Sequence, residues 1–182
     1  VYYGNGSSGL RGKITNNYVY TPIGLGSNYG IYGYYIQYID LYANTFNVAK
    51  GDANSTALYF YSPSSSYSYN NIVNNNAVNT GFGYAFYYYD PANGNTYNYN
   101  NYYVPKTSAS LGYSASYGNL TTLGSWQSYG YDLNSLNQSV TFMPANTPNH
   151  FMSSLNAGAG YTGVTTDIYG TTRKTTPTIG AY

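Results

Sequence analysis

The chain has no cysteine, no glutamate and a single histidine, and charged side chains make up 6% of its 182 residues. Without cysteine no disulfide holds the fold and no thiolate metal site exists. One histidine and five scattered aspartates (Asp40, Asp52, Asp90, Asp132, Asp167) leave little for acid–base or metal chemistry. His150 stands alone, no Gly-x-Ser-x-Gly elbow occurs, and no pair of carboxylates is spaced for glycoside cleavage. The expectation is therefore no enzyme, no cofactor and no catalytic or metal residue. A lone calcium held by Asp and carbonyl oxygens, and a Lys–Asn isopeptide link, leave no mark in a sequence and stay open. The six cations Arg11, Lys13, Lys50, Lys106, Arg173 and Lys174 are too dispersed to neutralise a phosphate backbone, which argues against nucleic acid. The longest apolar runs are short and broken by Gly, Asn and Tyr, so no membrane span is expected.

What is present is tyrosine, at 29 residues, with aromatics reaching 20% of the chain. A tyrosine ring buries much apolar area while its hydroxyl needs a partner or water. So many cannot all be interior, and Tyr enrichment with Lys and Glu depletion is the bias of contact surfaces. A formal charge of +1 leaves little repulsion between copies. Protonating every Asp and the His moves it only to about +7. Tyr interleaved with Gly, Ser and Asn, as in 112–118, is also a low-complexity signature, but β-branched and aromatic residues gather in strand-length runs, which favours a folded chain.

Strands are expected near Tyr18–Ile23, Ile31–Tyr42, Thr45–Ala49, Ala57–Ser62, Gly83–Tyr89, Tyr97–Val104, Ser108–Tyr117, Ser125–Asp132, Ser139–Met143, Tyr161–Ile168 and Thr175–Ala181. Asn93-Gly94 suits a hairpin turn. Thr147-Pro148 to Gly158, which holds His150, suits one short helix, a second helical turn fits Asp132–Asn137, and the Asn-rich stretch Tyr69–Asn79 suits an exposed loop. No fixed-period repeat stands out, which argues against a β-solenoid, a propeller or a curli-like array. The expected fold is all-β: a β-sandwich or jelly-roll head over residues 25–182, with residues 1–24 as an extended N-terminal donor segment. Val1, Tyr2, Tyr3, Ile14, Tyr18, Val19 and Tyr20 are the candidate donor-strand residues, and the C-terminal 171–182 is the runner-up donor. The start at Val1 suits removal of a signal peptide, and so an extracellular or cell-surface location.

Four Asn-x-Ser/Thr sequons mark Asn5, Asn54, Asn119 and Asn137 as N-linked glycan candidates, although a composition this rich in Asn, Ser and Thr supplies about five by chance. The Tyr, Asn, Ser, Thr and Gly bias, the missing cysteine and the few charges resemble secreted filament subunits of thermophilic archaea, the donor-strand threads and bundling pili. That resemblance covers the whole chain through composition alone. It implies β-sandwich heads joined by an N-terminal donor strand into a helical homopolymer, often glycosylated, with a role in adhesion or biofilm. Asn5-Gly6, Asn93-Gly94 and the acid-labile Asp90-Pro91 bond fit a hot acidic habitat poorly. Two other functions compete: a viral coat protein, and a carbohydrate-binding module using exposed aromatics. Trp126 as the sole tryptophan weighs against the module.

Overall fold

The computed structural model describes residues 1–22, 24, 26–77, 83–105, 110–142, 158 and 163–181. Their strands are short, and nearly all pair in parallel. The first triplet is β1 (Gly12–Thr15), β2 (Tyr18–Thr21) and β3 (Tyr29–Tyr34). The next is β4 (Ile39–Tyr42), β5 (Thr45–Val48) and β6 (Thr56–Tyr61), followed by β7 (Tyr67–Tyr69), β8 (Ile72–Asn75) and β9 (Tyr84–Tyr88). A last triplet, β10 (Thr96–Asn98), β11 (Asn101–Tyr103) and β12 (Gly112–Ser114), leads into β13 (Gly118–Leu120) and the helix α1 (Leu123–Gln127). Like strands stack on like: β1-β4-β7-β10, β2-β5-β8-β11 and β3-β6-β9-β12, with β13 added antiparallel to β12. The chain is a three-sided β-solenoid of about three turns.

This overturns the expected β-sandwich or jelly roll. A sandwich needs two antiparallel sheets face to face; here β12–β13 is the one antiparallel pairing of named strands among the described residues. A repeat was present but carried by few positions. Asn17, Asn44, Asn71 and Asn100 sit one above another at separations of 27, 27 and 29 residues. Loops of unequal length hide the period, because the loops bear no stacking constraint.

Each turn is built alike because each sheet alternates inward and outward side chains. Inward rows are Ile14–Leu41–Ser68–Tyr97, Val19–Phe46–Val73–Tyr102 and Ile31–Leu58–Phe86–Gly112. They fill one continuous core. Gly112 is required by a close approach: a Cβ there would lie 2.2 Å from Phe86 Cζ. The corners repeat as well. Asn16, Ala43, Asn70 and Tyr99, each just before a ladder asparagine, take φ of 56°, 55°, 56° and 55°. This left-handed conformation is costly for Ala and Tyr, so something at the corner must offset it.

That offset is the asparagine ladder. In each turn the Asn backbone N–H and Nδ2 both donate to Oδ1 of the Asn one turn on: Asn17 to Asn44 at 3.0 Å each, Asn44 to Asn71 at 2.9 and 3.0 Å, Asn71 to Asn100 at 3.0 Å each. The expected exposed loop at Tyr69–Asn79 is thus overturned, since Asn71, Asn74 and Asn75 are fully buried and β8 runs through it. The strand expected at Ser125–Asp132 begins instead as α1, started by a capping box between Thr122 and Ser125. A turn does form at 91–94, but it links β9 and β10, which lie in different sheets, so it closes no hairpin. The helix expected at 147–158, with His150, lies outside the described residues apart from Gly158.

Candidate contact face

The three outer faces differ in what lies over them. Over the first sheet, Arg11 reaches across to Asp40, with Nε 2.8 Å from Oδ2, and lies 4.0 Å over the Tyr67 ring. Asp40 raises the Arg11 pKa through this bond, against the cost of burial. Over the second sheet lies the C-terminal segment 163–181. Its Ile179 packs with Ile72 and Val140, Gly180 N–H donates to Asn70 O at 2.7 Å, and Ala181 N–H to Thr45 Oγ1 at 3.1 Å. Arg173 ties the segment down by donating to Asn16 Oδ1, Gly180 O and Thr166 O.

The third sheet is different. Its outward positions are tyrosines in register from turn to turn. Tyr32, Tyr59, Tyr87 and Tyr113 form one row, with ring centroids 4.7, 4.4 and 4.8 Å apart and interplanar angles of 4°, 11° and 18°. Tyr2, Tyr34, Tyr61 and Tyr89 form a second, at 5.1, 4.8 and 4.4 Å. Tyr29 closes edge-on against Tyr32 and Tyr59. The spacing is that of hydrogen-bonded strands, so the sheet itself sets the stacking distance. Each inner ring has a neighbour on both faces. Between the end rings, what the surface offers to a partner is therefore ring edges and hydroxyls, not open aromatic faces. Burial, then neighbouring phenols, raises the pKa of Tyr59, Tyr61 and Tyr87, which holds these inner rings in the neutral form. No charged residue stands in either row.

The far end of the solenoid is closed by a buried carboxylate. Asp132 accepts from Trp126 Nε1 at 2.7 Å, Asn100 Nδ2 at 3.0 Å, Tyr102 OH at 3.2 Å and the Ser135 hydroxyl. Ser135 Oγ also accepts from the Asn100 backbone, so Ser135 and Asp132 together take the place of a next ladder asparagine. Burial raises the Asp132 pKa, partly offset by these four donors.

The candidate donor residues all engage their own chain. Val1 O accepts from Tyr34 N–H and Tyr3 N–H donates to Tyr34 O, so Val1, Tyr2 and Tyr3 run along β3. Ile14 lies in β1, while Tyr18, Val19 and Tyr20 lie in β2. The sequon asparagines Asn5, Asn54, Asn119 and Asn137 are all exposed. Asn119 pairs with Tyr113 and continues the first tyrosine row, its Oδ1 accepting from Tyr84 OH at 2.8 Å. Among the described residues no three His, Cys, Asp or Glu side chains gather, and no helix is long and apolar enough to cross a membrane.

The tyrosine rows and the asparagine ladder were not read from the sequence. The signal for them was Tyr-x-Tyr recurring at 32–34, 59–61 and 87–89, together with Asn at the second place of 16–17, 43–44 and 70–71. Comparison with protein-family models, curated proteins and solved structures returned no match.

Proposed function

We propose that this chain is a structural, non-catalytic subunit of an extracellular assembly, and that copies of it meet through the tyrosine face. One observation carries the reading: the third sheet presents two stacked, uncharged tyrosine rows, and no described segment covers them. Rings locked between neighbours lose little side-chain freedom on contact, so the surface is preorganised. With no charge in either row, a second copy meets no repulsion there. A sugar ring would need an open aromatic face, which these rows spend on one another; this weighs against the carbohydrate-binding alternative.

Size decides the kind of contact. Five strands about 4.8 Å apart and six residues at about 3.3 Å each give a face of roughly 20 by 20 Å. That is about 400 Å² in plan, short of the ~800 Å² per partner of a stable pair. One such contact is weak, and it holds only where many repeat. An assembly fits better than an isolated dimer. The engaged N-terminus favours lateral contact over strand donation.

The test is electron microscopy and light scattering of the purified chain across a concentration series, alongside Tyr61→Lys/Tyr89→Lys. The wild type should form ordered assemblies and the double variant should stay monomeric with unchanged circular dichroism. Leu133→Lys, at an exposed site off the face, serves as control and should assemble normally. A wild type that stays monomeric throughout, or a double variant that assembles normally, would sink the proposal.

A further inference from the structure

The closest ring pair among the described residues is not in the rows. Tyr117 and Tyr129 stack at 3.8 Å with planes 10° apart. Tyr117 ends the turn between β12 and β13, and Tyr129 follows α1. Tyr129 is 47% exposed, and neither residue lies within a strand. Behind the pair stands a continuous aromatic path. Trp126, fully buried, stacks on Tyr131 at 4.4 Å, and Tyr131 lies 6.4 Å from Tyr117.

We infer that Tyr117 and Tyr129 form a site for oxidative tyrosine–tyrosine coupling, which staples the C-terminal cap of the solenoid. A one-electron oxidant removes an electron from each ring and water takes each phenolic proton. The two phenoxyl radicals join through the carbons ortho to oxygen, and each ring then loses its ortho hydrogen to that oxygen as it regains aromaticity. Overall, two C–H bonds are replaced by one C–C bond, releasing two protons and two electrons. A peroxide accepts both and is reduced to water, through a haem peroxidase that delivers the oxidation in single-electron steps.

Geometry selects this pair over the rows. An inner row tyrosine is held by its strand and wedged between two rings, so it cannot tilt into the edge-joined arrangement of the product. Tyr129 has solvent on one side and can. The aromatic path also gives an oxidation that begins at buried Trp126 a route to the surface, where the phenolic proton can leave. In a chain without cysteine, the link would constrain the unfolded state as a disulfide does.

The experiment treats the dilute full chain with hydrogen peroxide and a haem peroxidase, then maps cross-linked peptides by protease digestion and mass spectrometry. The expected result is a monomer lighter by two hydrogens, with dityrosine fluorescence and one predominant cross-link joining Tyr117 to Tyr129. Tyr129→Phe should lose that cross-link while keeping its circular dichroism and its Trp126 emission. Tyr61→Phe should keep the cross-link. The inference is overturned if coupling spreads over exposed Tyr2, Tyr3, Tyr35 and Tyr89, if Tyr129→Phe gives the same dityrosine yield, or if Tyr117 and Tyr129 couple only after unfolding. Because the chain is dilute and the product intramolecular, the outcome does not depend on whether copies meet through the tyrosine face.

Discussion

Asn71 sits at the middle of the ladder, and its replacement tests whether the ladder or the apolar core holds the turns in register. Asn71→Ala deletes five hydrogen bonds. Two are accepted from Asn44, at 2.9 and 3.0 Å; three are donated, to Leu41 O, Ser68 Oγ and Asn100 Oδ1, at 3.1, 3.1 and 3.0 Å. The Asn44 Nδ2 group keeps its bond to Ile14 O, and Asn100 Oδ1 keeps the Asn71 backbone N–H. The Asn44 backbone N–H loses its acceptor in a dry site. The two Nδ2 hydrogens, shared among three acceptors, count as about two net bonds at about 1 kcal/mol each, and the orphaned donor adds 1–3, so the loss is about 3–5 kcal/mol. Asn71→Asp is nearly isosteric and separates shape from bonding. Its oxygens still accept from Asn44, and the Ser68 hydroxyl can turn to donate to them, but the bonds to Leu41 O and Asn100 Oδ1 become contacts between lone pairs. Burial and those contacts raise the carboxyl's folded pKa above its unfolded value of about 3.9. The folded state then binds the extra proton, so stability is greatest below about pH 4 and falls as pH rises. Asn71→Asp should therefore be less stable than Asn71→Ala at pH 7 and recover towards wild type at pH 3. Asn17→Ala, at the exposed start of the ladder, should cost about 1 kcal/mol or less. Urea unfolding followed by Trp126 emission and circular dichroism measures all three. Equal losses at positions 17 and 71, or an Asn71→Asp variant indifferent to pH, would refute the reasoning.

Two further outcomes follow from the closed end of the solenoid. Asp132 has a raised pKa, so by the same sign its contribution is complete below about pH 4 and declines as pH rises through its folded value. Unfolding free energy measured from pH 3 to 7 should fall with pH in the wild type, and Asp132→Asn should flatten that slope. The same variant should lose roughly 1–3 kcal/mol at neutral pH, because an amide cannot accept from all four donors; an unchanged slope would remove Asp132 as its source. Gly112→Ala puts a methyl group where the Phe86 ring lies, and overpacking of this kind costs about 1–3 kcal/mol. A calorimetric midpoint no lower than wild type would show that the ring has room to move.

How much of this was legible in the residues divides along physical lines. The all-β character was, because Tyr, Val, Ile, Thr and Phe in short runs oppose helix wherever they stand. Several strands were placed well: Thr45–Ala49 contains β5, and Gly83–Tyr89 contains β9. The pairing was not. Local propensity says that Tyr59 favours a strand; it does not say that its neighbours are Tyr32 and Tyr87 rather than a hairpin partner. The Asn-rich stretch misled for a related reason. Asparagine usually signals a turn because its side chain competes for backbone hydrogen bonds, and Asn71 does sit at a corner. Stacked turns supply partners for every one of its polar atoms, and so allow a residue normally read as exposed to be buried. The tyrosine face was legible in kind, as contact-prone tyrosine, but not in place, since its two rows come together only once the turns are stacked.

The same stacking recasts what the shortage of charge means. In a parallel solenoid, each outward residue faces its counterpart in the turns above and below at about 4.8 Å, and like charges opposite one another are destabilising. A repeated Lys or Glu would build a column of one sign along the whole molecule. Neutral side chains that gain from stacking escape this: tyrosine through its ring, asparagine through an amide that both donates and accepts. Among the described residues, the outward row with charge obeys the rule, for Lys13 stands beside Asp40, and the row continues into Tyr67 and Thr96. The low charge is therefore first a requirement of the fold. Composition alone loses force as an argument for assembly, and the weight moves to geometry. The C-terminal segment covers one face and the Arg11 side chain crosses part of another, while the third keeps its tyrosines in the open.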